Sequence, residues 1–369
     1  MGTLRIERMS IRPPAALRAE LRFAPVASGA RIAWAASGHG AAGSPPLVRV
    51  AHWMTHVEHD LTSLIWKPWL ERLGRELRVI RYDERGCGLS SSDEEPIGID
   101  ASVEELEVVI DAAGHGGVAL LGMSGAAAAA IAYAVRHPDR VSHLVLVGSY
   151  SQGILRRSPT PDQIAYLDSL TRLMELSWGK PVPAIQQFFT ATMIPDATPE
   201  QAAALTEQQR RSCDAMRAAS IQRARAGIDV KALLPLVSCP TLVLHSEGDA
   251  VVPLELGRAL AAEIPGARFE TMPTRNHIPL AGDGAFERFC EAITDFVVPA
   301  AQGTARFSAR ELELLDAVAR GMDNLQIAAH LGLAEKTVRN QLSQLYDKLA
   351  VEGRPQAIVW AREHGFGRR

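Results

Sequence analysis

Apolar positions along this chain follow two regimes. From residue 46 to about 150, short apolar runs alternate with longer amphipathic stretches. Pro46–Ala51, Leu77–Tyr82, Val118–Leu121 and Arg140–Gly148 read as strands, and Leu106, Val109 and Ile110 mark one face of a helix over Val103–Ala113. A further helix is expected around Leu61–Leu73. The strand runs lack polar alternation, as strands covered on both faces do, so this part predicts a mostly parallel, doubly wound sheet. Ahead of it, Leu21–Ser37 alternates partially about Ser28-Gly29 and predicts a hairpin. From Ser149 to about Lys231 the alternation gives way to helical sequence carrying Trp178, Phe188, Phe189, Met193 and Met216. Strands resume at Pro240–His245 and end at Ala267–Met272. Beyond the small-residue stretch 299–305 the period is helical only. Leu312, Leu315 and Ala319 are expected inward on a first helix capped at Ser308 and stopped at Gly321. Ile327, Ala328 and Leu331 follow on a second, then Val338, Leu342, Leu345 and Leu349 on a third. The pattern therefore divides the chain into an α/β domain over 1–298 with a helical insertion at about 150–230, a linker over 299–305, and a small all-α domain over 306–369.

Composition adds the class. With 369 residues, 47% hydrophobic and 22% charged, the chain has ample material for a large core, and its net charge of −3 carries no overall bias toward nucleic acid or membrane. That average conceals a split: residues 301–369 hold ten Lys/Arg against eight Asp/Glu, a balance of +2 that leaves −5 for the rest. The cysteines Cys87, Cys213, Cys239 and Cys290 are far apart, without metal-ligand spacing or a disulfide framework. The first residues offer no signal-peptide core and no apolar run approaches membrane-spanning length, so a cytoplasmic protein is expected.

Candidate chemistry begins at Gly122-Met123-Ser124-Gly125-Ala126. A buried strand, a tight turn with a serine among small residues and an alanine-rich helix resemble the nucleophile elbow of α/β-hydrolases, with Ala126 in place of the usual last glycine. A strained turn lifts the Ser124 hydroxyl clear of the sheet, and the following helix aims its first amides, Gly125 among them, where an oxyanion would form. The other oxyanion amide is expected from the loop after Pro46–Ala51, at Met54, with Trp53 as the alternative. His52, His56 and His59 lie close together in that loop, but no helical pair with a carboxylate partner accompanies them, so no metal and no cofactor is expected. Asp249, just past the strand Pro240–His245, is read as the triad carboxylate, with Glu247 as runner-up. His277, on the loop after the last strand, is read as the general base. The order Ser124, Asp249, His277, each after its own strand, is that of the hydrolase triad. Asp83 and Arg85, in the pattern D-x-R-G-x-G-x-S, are read as tying down a turn.

The last 60 residues carry a second resemblance. Arg310-Glu311, Ala319-x-Gly321, Asn324, Ile327-Ala328, Leu331, Lys336-Thr337-Val338, Asn340, Lys348-Leu349 and Arg354-x-Gln356-Ala357 closely resemble the LuxR-type DNA-binding domain of bacterial transcription regulators. The resemblance implies a helix-turn-helix in which Arg339, Asn340 and Ser343 face base edges while Lys336, Thr337 and Lys348 hold phosphates of double-stranded DNA. It also implies a homodimer formed through the last helix (Arg354–His364). Ala334 stands where a capping serine is usual, a change costing about 1 kcal/mol, and Gln341 replaces a frequent histidine.

The first 300 residues, through Trp53, His56, Glu58, Asp60 and RYDERGCGLS, are similar to α/β-hydrolase-like modules fused to bacterial signalling output domains. The expected function is a transcription regulator whose hydrolase-like domain senses a small carbonyl-bearing ligand. The alternative is a serine carboxylic-ester hydrolase with an appended DNA-binding domain. A phosphorylation-driven regulator is disfavoured, because a receiver domain is much shorter and its acidic pocket pattern is absent.

Overall fold

The computed structural model describes residues 19–41, 43–52, 54–93, 96–180, 182–298, 307, 309–349, 351, 353–363 and 366–367. They form two compact units, Met1–Val297 and Val298–Arg369. The linker 299–305, the Ser308 cap and Trp53 lie outside the described residues.

In the first unit the chain runs β1 (Glu20–Pro25), β2 (Arg31–Ser37), β3 (Leu47–Arg49), α1 (Lys67–Leu73), β4 (Val79–Tyr82), α2 (Ile99–Ala112), β5 (Val118–Met123), α3 (Ala127–Arg136) and β6 (Val141–Val147). Four helices follow, α4 (Pro161–Ser177), α5 (Pro183–Met193), α6 (Pro199–Ser212) and α7 (Ala215–Ala226). Then come β7 (Thr241–Ser246), α8 (Leu254–Glu263), β8 (Arg268–Met272) and α9 (Gly284–Val297). The eight strands make one sheet in the order β1-β2-β4-β3-β5-β6-β7-β8. β1 and β2 pair antiparallel, as does β2 with β4; every other pairing is parallel. The expected hairpin is there, its turn closed by Val26 N–H to the Ala30 carbonyl (3.0 Å), with Gly29 at φ 90.

Every residue of β5 and β7 is buried, which is why neither shows polar alternation. The alanines of α3 let it lie close on β5: a Cβ at Gly122 would meet Ala127 Cα at 2.8 Å. The expected helix around Leu61–Leu73 is shorter, since a 3-10 turn at His59–Leu61 precedes α1, whose second residue is Pro68. Proline lacks the N–H that a longer preceding helix would need there.

The insertion α4–α7 forms the lid. Helices α4 and α6 open with the same sequence logic, Thr-Pro-x-Gln. Thr160 and Thr198 accept from the amides of Gln163 and Gln201, whose side chains return the bond. Phe189, Met193 and Trp178 are buried, with Trp178 edge-on to Phe189 (5.6 Å), whereas Met216 is exposed.

The second unit holds α10 (Ala309–Ala319), α11 (Asn324–Leu331), α12 (Glu335–Lys348) and α13 (Arg354–Glu363) around its own core of Leu314, Leu315, Val318, Ile327, Val338, Leu342 and Leu345. Asp323 and Gln326 form a capping box on α11, which ends at Gly332 in the left-handed region (φ 65). One expectation fails here. Leu312 is 41% exposed, and Leu314 takes the inward place, because α10 turns its Leu314/Val318 side to the neighbouring helices.

Candidate active site and nucleic-acid interface

Ser124, Asp249 and His277 stand beyond the carboxyl ends of β5, β7 and β8. Ser124 occupies the left-handed region at φ 51, sparsely populated for a residue with a Cβ, as a nucleophile elbow requires. Gly125 follows, and a Cβ there would meet Arg225 Cδ at 2.9 Å and Tyr150 Oη at 3.1 Å, so a larger residue would have to displace both side chains. His277 Nδ1–H donates to Asp249 Oδ2 at 2.6 Å, which leaves Nε2 as the basic nitrogen of the ring. The second oxygen of Asp249 accepts from the amides of Val251 (2.8 Å) and Val252 (2.9 Å). Burial alone would raise the Asp249 carboxyl. The charge and hydrogen bond of His277, with those two amides, hold it below the usual carboxylate range. Gly148 (φ 54) leaves room for the imidazole, since a Cβ there would meet His277 Cε1 at 3.0 Å. Glu247 is engaged elsewhere, accepting from Thr271 Oγ1 at 2.9 Å.

His277 is held by the lid as well as by the sheet. His277 N–H donates to the Met193 carbonyl (2.8 Å) at the end of α5, and Asn276 Oδ1 accepts from the Asp196 amide (3.0 Å). Ser246 Oγ donates to the Asn276 carbonyl (2.7 Å). Ser124 Oγ has no hydrogen-bond partner among the described residues, and it opens on a cavity of about 250 Å³ under the lid.

The loop expected to supply the second oxyanion amide is less simple than its sequence suggests. Met54 N–H donates to His52 Nδ1 at 3.3 Å, and its carbonyl accepts from Gln208 Nε2 at 2.9 Å. Burial, helped by the charges of Arg49, Arg225 and His277, drives the His52 imidazole well below its usual range, so it stays neutral and accepts that bond. His56 Nδ1 likewise accepts from the His59 amide (3.2 Å). Below this loop, Asp60 receives Arg49 and, at 3.2 Å, Gln208 Nε2. Asp83 accepts from the amides of Val57 and Leu89, both at 2.9 Å, and Arg85 bonds Asp93 and Glu104, both at 2.8 Å, so both residues tie the turn as expected.

Residues that sequence reasoning missed come from the lid and the strand after the elbow. Arg225, near the end of α7, pairs with Glu84 on the turn after β4 (Nη2 to Oε2, 3.0 Å), although 141 residues separate them. Tyr150, just after β6, lies against the same guanidinium; burial raises its phenol while the charges of Arg225 and Arg157 pull it down. Nothing in Arg223-Ala-Arg225 distinguishes an inward arginine from a solvated one.

In the second unit Val338, Leu342 and Leu345 bury one face of α12, and Lys336, Thr337, Arg339, Asn340, Ser343 and Lys348 are exposed. Arg339 pairs with Glu335 one turn earlier (2.9 Å), and Lys348 with Glu311 of α10 (3.1 Å). Other matched positions hold the unit together. Arg310 donates to the Leu331 carbonyl (3.0 Å), closing the end of α11, and Arg354 donates to Asn324 Oδ1 (2.8 Å).

Comparison with known proteins agrees with both units. The family model for the alpha/beta hydrolase fold matches residues 39–282, and that for bacterial regulatory proteins of the luxR family matches residues 305–361. The chain is 24% identical to the putative carbamate hydrolase RutD of Caulobacter vibrioides over 79% of its own length and 99% of that protein. Its C-terminal part is 53% identical over 52 residues to the probable transcriptional regulatory protein SgaR of Hyphomicrobium methylovorum, matching 14% of this chain and 25% of that one. A hydrolase structure from Pseudomonas aeruginosa PA01 superposes with a TM-score of 0.61 at 24% identity, covering 75% of this chain and 98% of the other. No described helix is long and apolar enough to cross a membrane. The chain belongs to the alpha/beta hydrolase fold family and carries, fused behind that domain, a DNA-binding domain of the luxR family of bacterial regulators.

Proposed function

We propose that the protein is a cytoplasmic transcription regulator in which a small carbonyl-bearing molecule, received at Ser124 beneath the lid, controls the affinity of α12 for DNA. The observation that carries this is the co-occurrence in one chain of a base-and-carboxylate pair, His277 and Asp249 at 2.6 Å, and an exposed polar face on a helix-turn-helix. Arg339, Asn340 and Ser343 read base edges, while Lys336, Thr337 and, once released from Glu311, Lys348 hold phosphates. A homodimer through α13, where Val359 is exposed, matches a two-fold operator. The ligand acts only through a difference in its affinity for the DNA-competent and DNA-incompetent states. A gel shift on the upstream region of its own operon, with and without candidate esters, tests this; identical binding curves in every case would reject it.

The strained φ of Ser124 favours a second, compatible reading, that the site turns over. His277 Nε2 takes the hydroxyl proton as Ser124 attacks the ligand carbonyl, Asp249 stabilises the imidazolium, and the tetrahedral oxyanion is met by the Gly125 amide and by one from the loop at Met54 or Trp53. Collapse expels the alcohol, protonated by His277, and water then releases the acid from the acyl-enzyme. Labelling by a fluorophosphonate, lost in Ser124→Ala, is the expected result.

A further inference from the structure

We infer that the molecule received in the Ser124 cavity is an anion: a carbonyl compound that carries a carboxylate at the end away from the reacting carbon. This rests on the reading of Ser124 as the residue that meets the carbonyl. The lining of the cavity is the reason. Leu167, Met174, Phe188 and Phe189 supply apolar surface from α4 and α5, and among the described residues no Asp or Glu contributes to the wall. Two arginines do, Arg157 and Arg225. The side chain of Arg225 is only 14% exposed, and its stem lies over Gly125, beside the elbow. Its carboxylate partner Glu84 is not part of this wall; it lines a separate cavity with Ile97, Gly98 and Ile99. Arg225 thus stands as a partition with its counter-charge on the far side. Arg157 has no ion-pair partner among the described residues, and its charge and that of Arg225 both act on Tyr150, which lines the same wall.

An apolar chamber with cationic groups and no acid discriminates by charge. A carboxylate accepts charge-assisted hydrogen bonds from guanidinium groups on this wall, an interaction that a neutral ligand of the same size cannot make. The chemical class that satisfies both the serine and the arginines is the half-ester, or related monoacyl derivative, of a dicarboxylic acid. Glu84 and the ligand carboxylate then compete for Arg225, so occupancy by an anion alters the contact that holds α7 to the β4 turn.

The test compares two esters of matched size on the full-length protein, the mono-4-nitrophenyl ester of glutaric acid and 4-nitrophenyl valerate. The ratio of their kcat/KM values is expected to favour the anionic ester by roughly tenfold to a hundredfold at low salt. That ratio falls toward one in Arg157→Gln and in Arg225→Gln, and Arg225→Lys keeps more of it than Arg225→Gln. Arg157 is exposed, so its replacement leaves folding out of the question. A ratio near one in the wild type, or a preference that survives both replacements to glutamine, overturns the inference. If neither ester is cleaved, calorimetric titration of Ser124→Ala with monomethyl glutarate and with methyl valerate decides the matter. Tighter binding of the anion, lost in the added Arg157→Gln, upholds the subsite while removing the acyl-transfer reading; equal or absent binding overturns the inference.

Discussion

Arg225 and Glu84 join the lid to the sheet: Nη2 of the arginine, near the end of α7, lies 3.0 Å from Oε2 of the glutamate on the turn after β4, and both side chains are nearly buried. At its other end α7 is fastened by Arg217, which donates to the Arg85 carbonyl. A helix clamped at both ends by guanidinium groups closes the cavity beside Ser124 with charge rather than with apolar packing alone.

Removing one member of this buried pair strands the other. Glu84→Gln is expected to lower the stability of the hydrolase unit by about 3 kcal/mol, and the double replacement Glu84→Gln/Arg225→Gln by less than the sum of the singles. Urea unfolding of the four proteins measures it. Additive effects would mean the two side chains do not interact.

Ser124 should trade stability for chemistry. Its φ of 51 is easy only for glycine, so Ser124→Gly is expected to raise stability by about 1 kcal/mol. The same change would cut ester turnover by roughly a million-fold, as would Ser124→Ala, which lacks the conformational gain. Thermal midpoints and burst-phase assays on the two variants separate the effects; equal midpoints would show that the backbone there is unstrained.

Two buried carboxyls set a pH dependence of unusual sign. Burial pushes Asp83 up to about 7, its two amide bonds and the charge of Arg49 opposing, with the Asp60 charge adding to the rise. Burial, then the Glu84 charge, pushes Glu105 up to about 8 against the pull of Arg85, 3.2 Å away, and of Arg217. Each group stays protonated in the folded chain where the unfolded chain has ionised it, so stability falls as pH rises from about 4 toward these values. Asp249 works in the opposite sense: its contribution is present at neutral pH and disappears only as pH drops below the ordinary carboxylate range. Glu105→Gln should therefore gain on the wild type in thermal midpoint between pH 6 and pH 8.5. Parallel curves would contradict it.

The two kinds of residue on α12 should fail differently. Asn340→Ala or Arg339→Ala is expected to cost about 1–3 kcal/mol on the operator and to relax sequence preference at one position. Lys336→Ala should weaken all DNA alike and reduce the salt slope by about one. Lys348→Ala should do less in the binding assay than Lys336→Ala, because Lys348 starts in an ion pair with Glu311. Fluorescence anisotropy across a salt series would expose any departure from that order.

The strands, the elbow and the order of Ser124, Asp249 and His277 were legible because each has a local cause: unbroken Val/Leu runs for strands covered on both sides, small residues where backbone must approach backbone, and turns after strands. What escaped was non-local. Arg225 faces inward because of Glu84, far away in the chain, and no residue near either one announces the pairing. The Met54 amide is taken up by a side chain of its own loop, His52, a matter of ring orientation rather than residue type. Leu312 fits the helical period as well as Leu314 does; which of them is covered depends on how α10 packs against its neighbours. Polar contacts across the fold, and the phase of a short helix, are decided by tertiary packing.

Each unit buries an apolar core of its own, one built on β5 and α3, the other on Leu314, Val338 and Leu342. Calorimetry on the whole chain should consequently resolve two transitions instead of one. An effector seated under the lid raises the first directly, by mass action. Any movement of the second on adding that effector is then a direct gauge of communication between chamber and duplex reader, obtained without DNA in the cell.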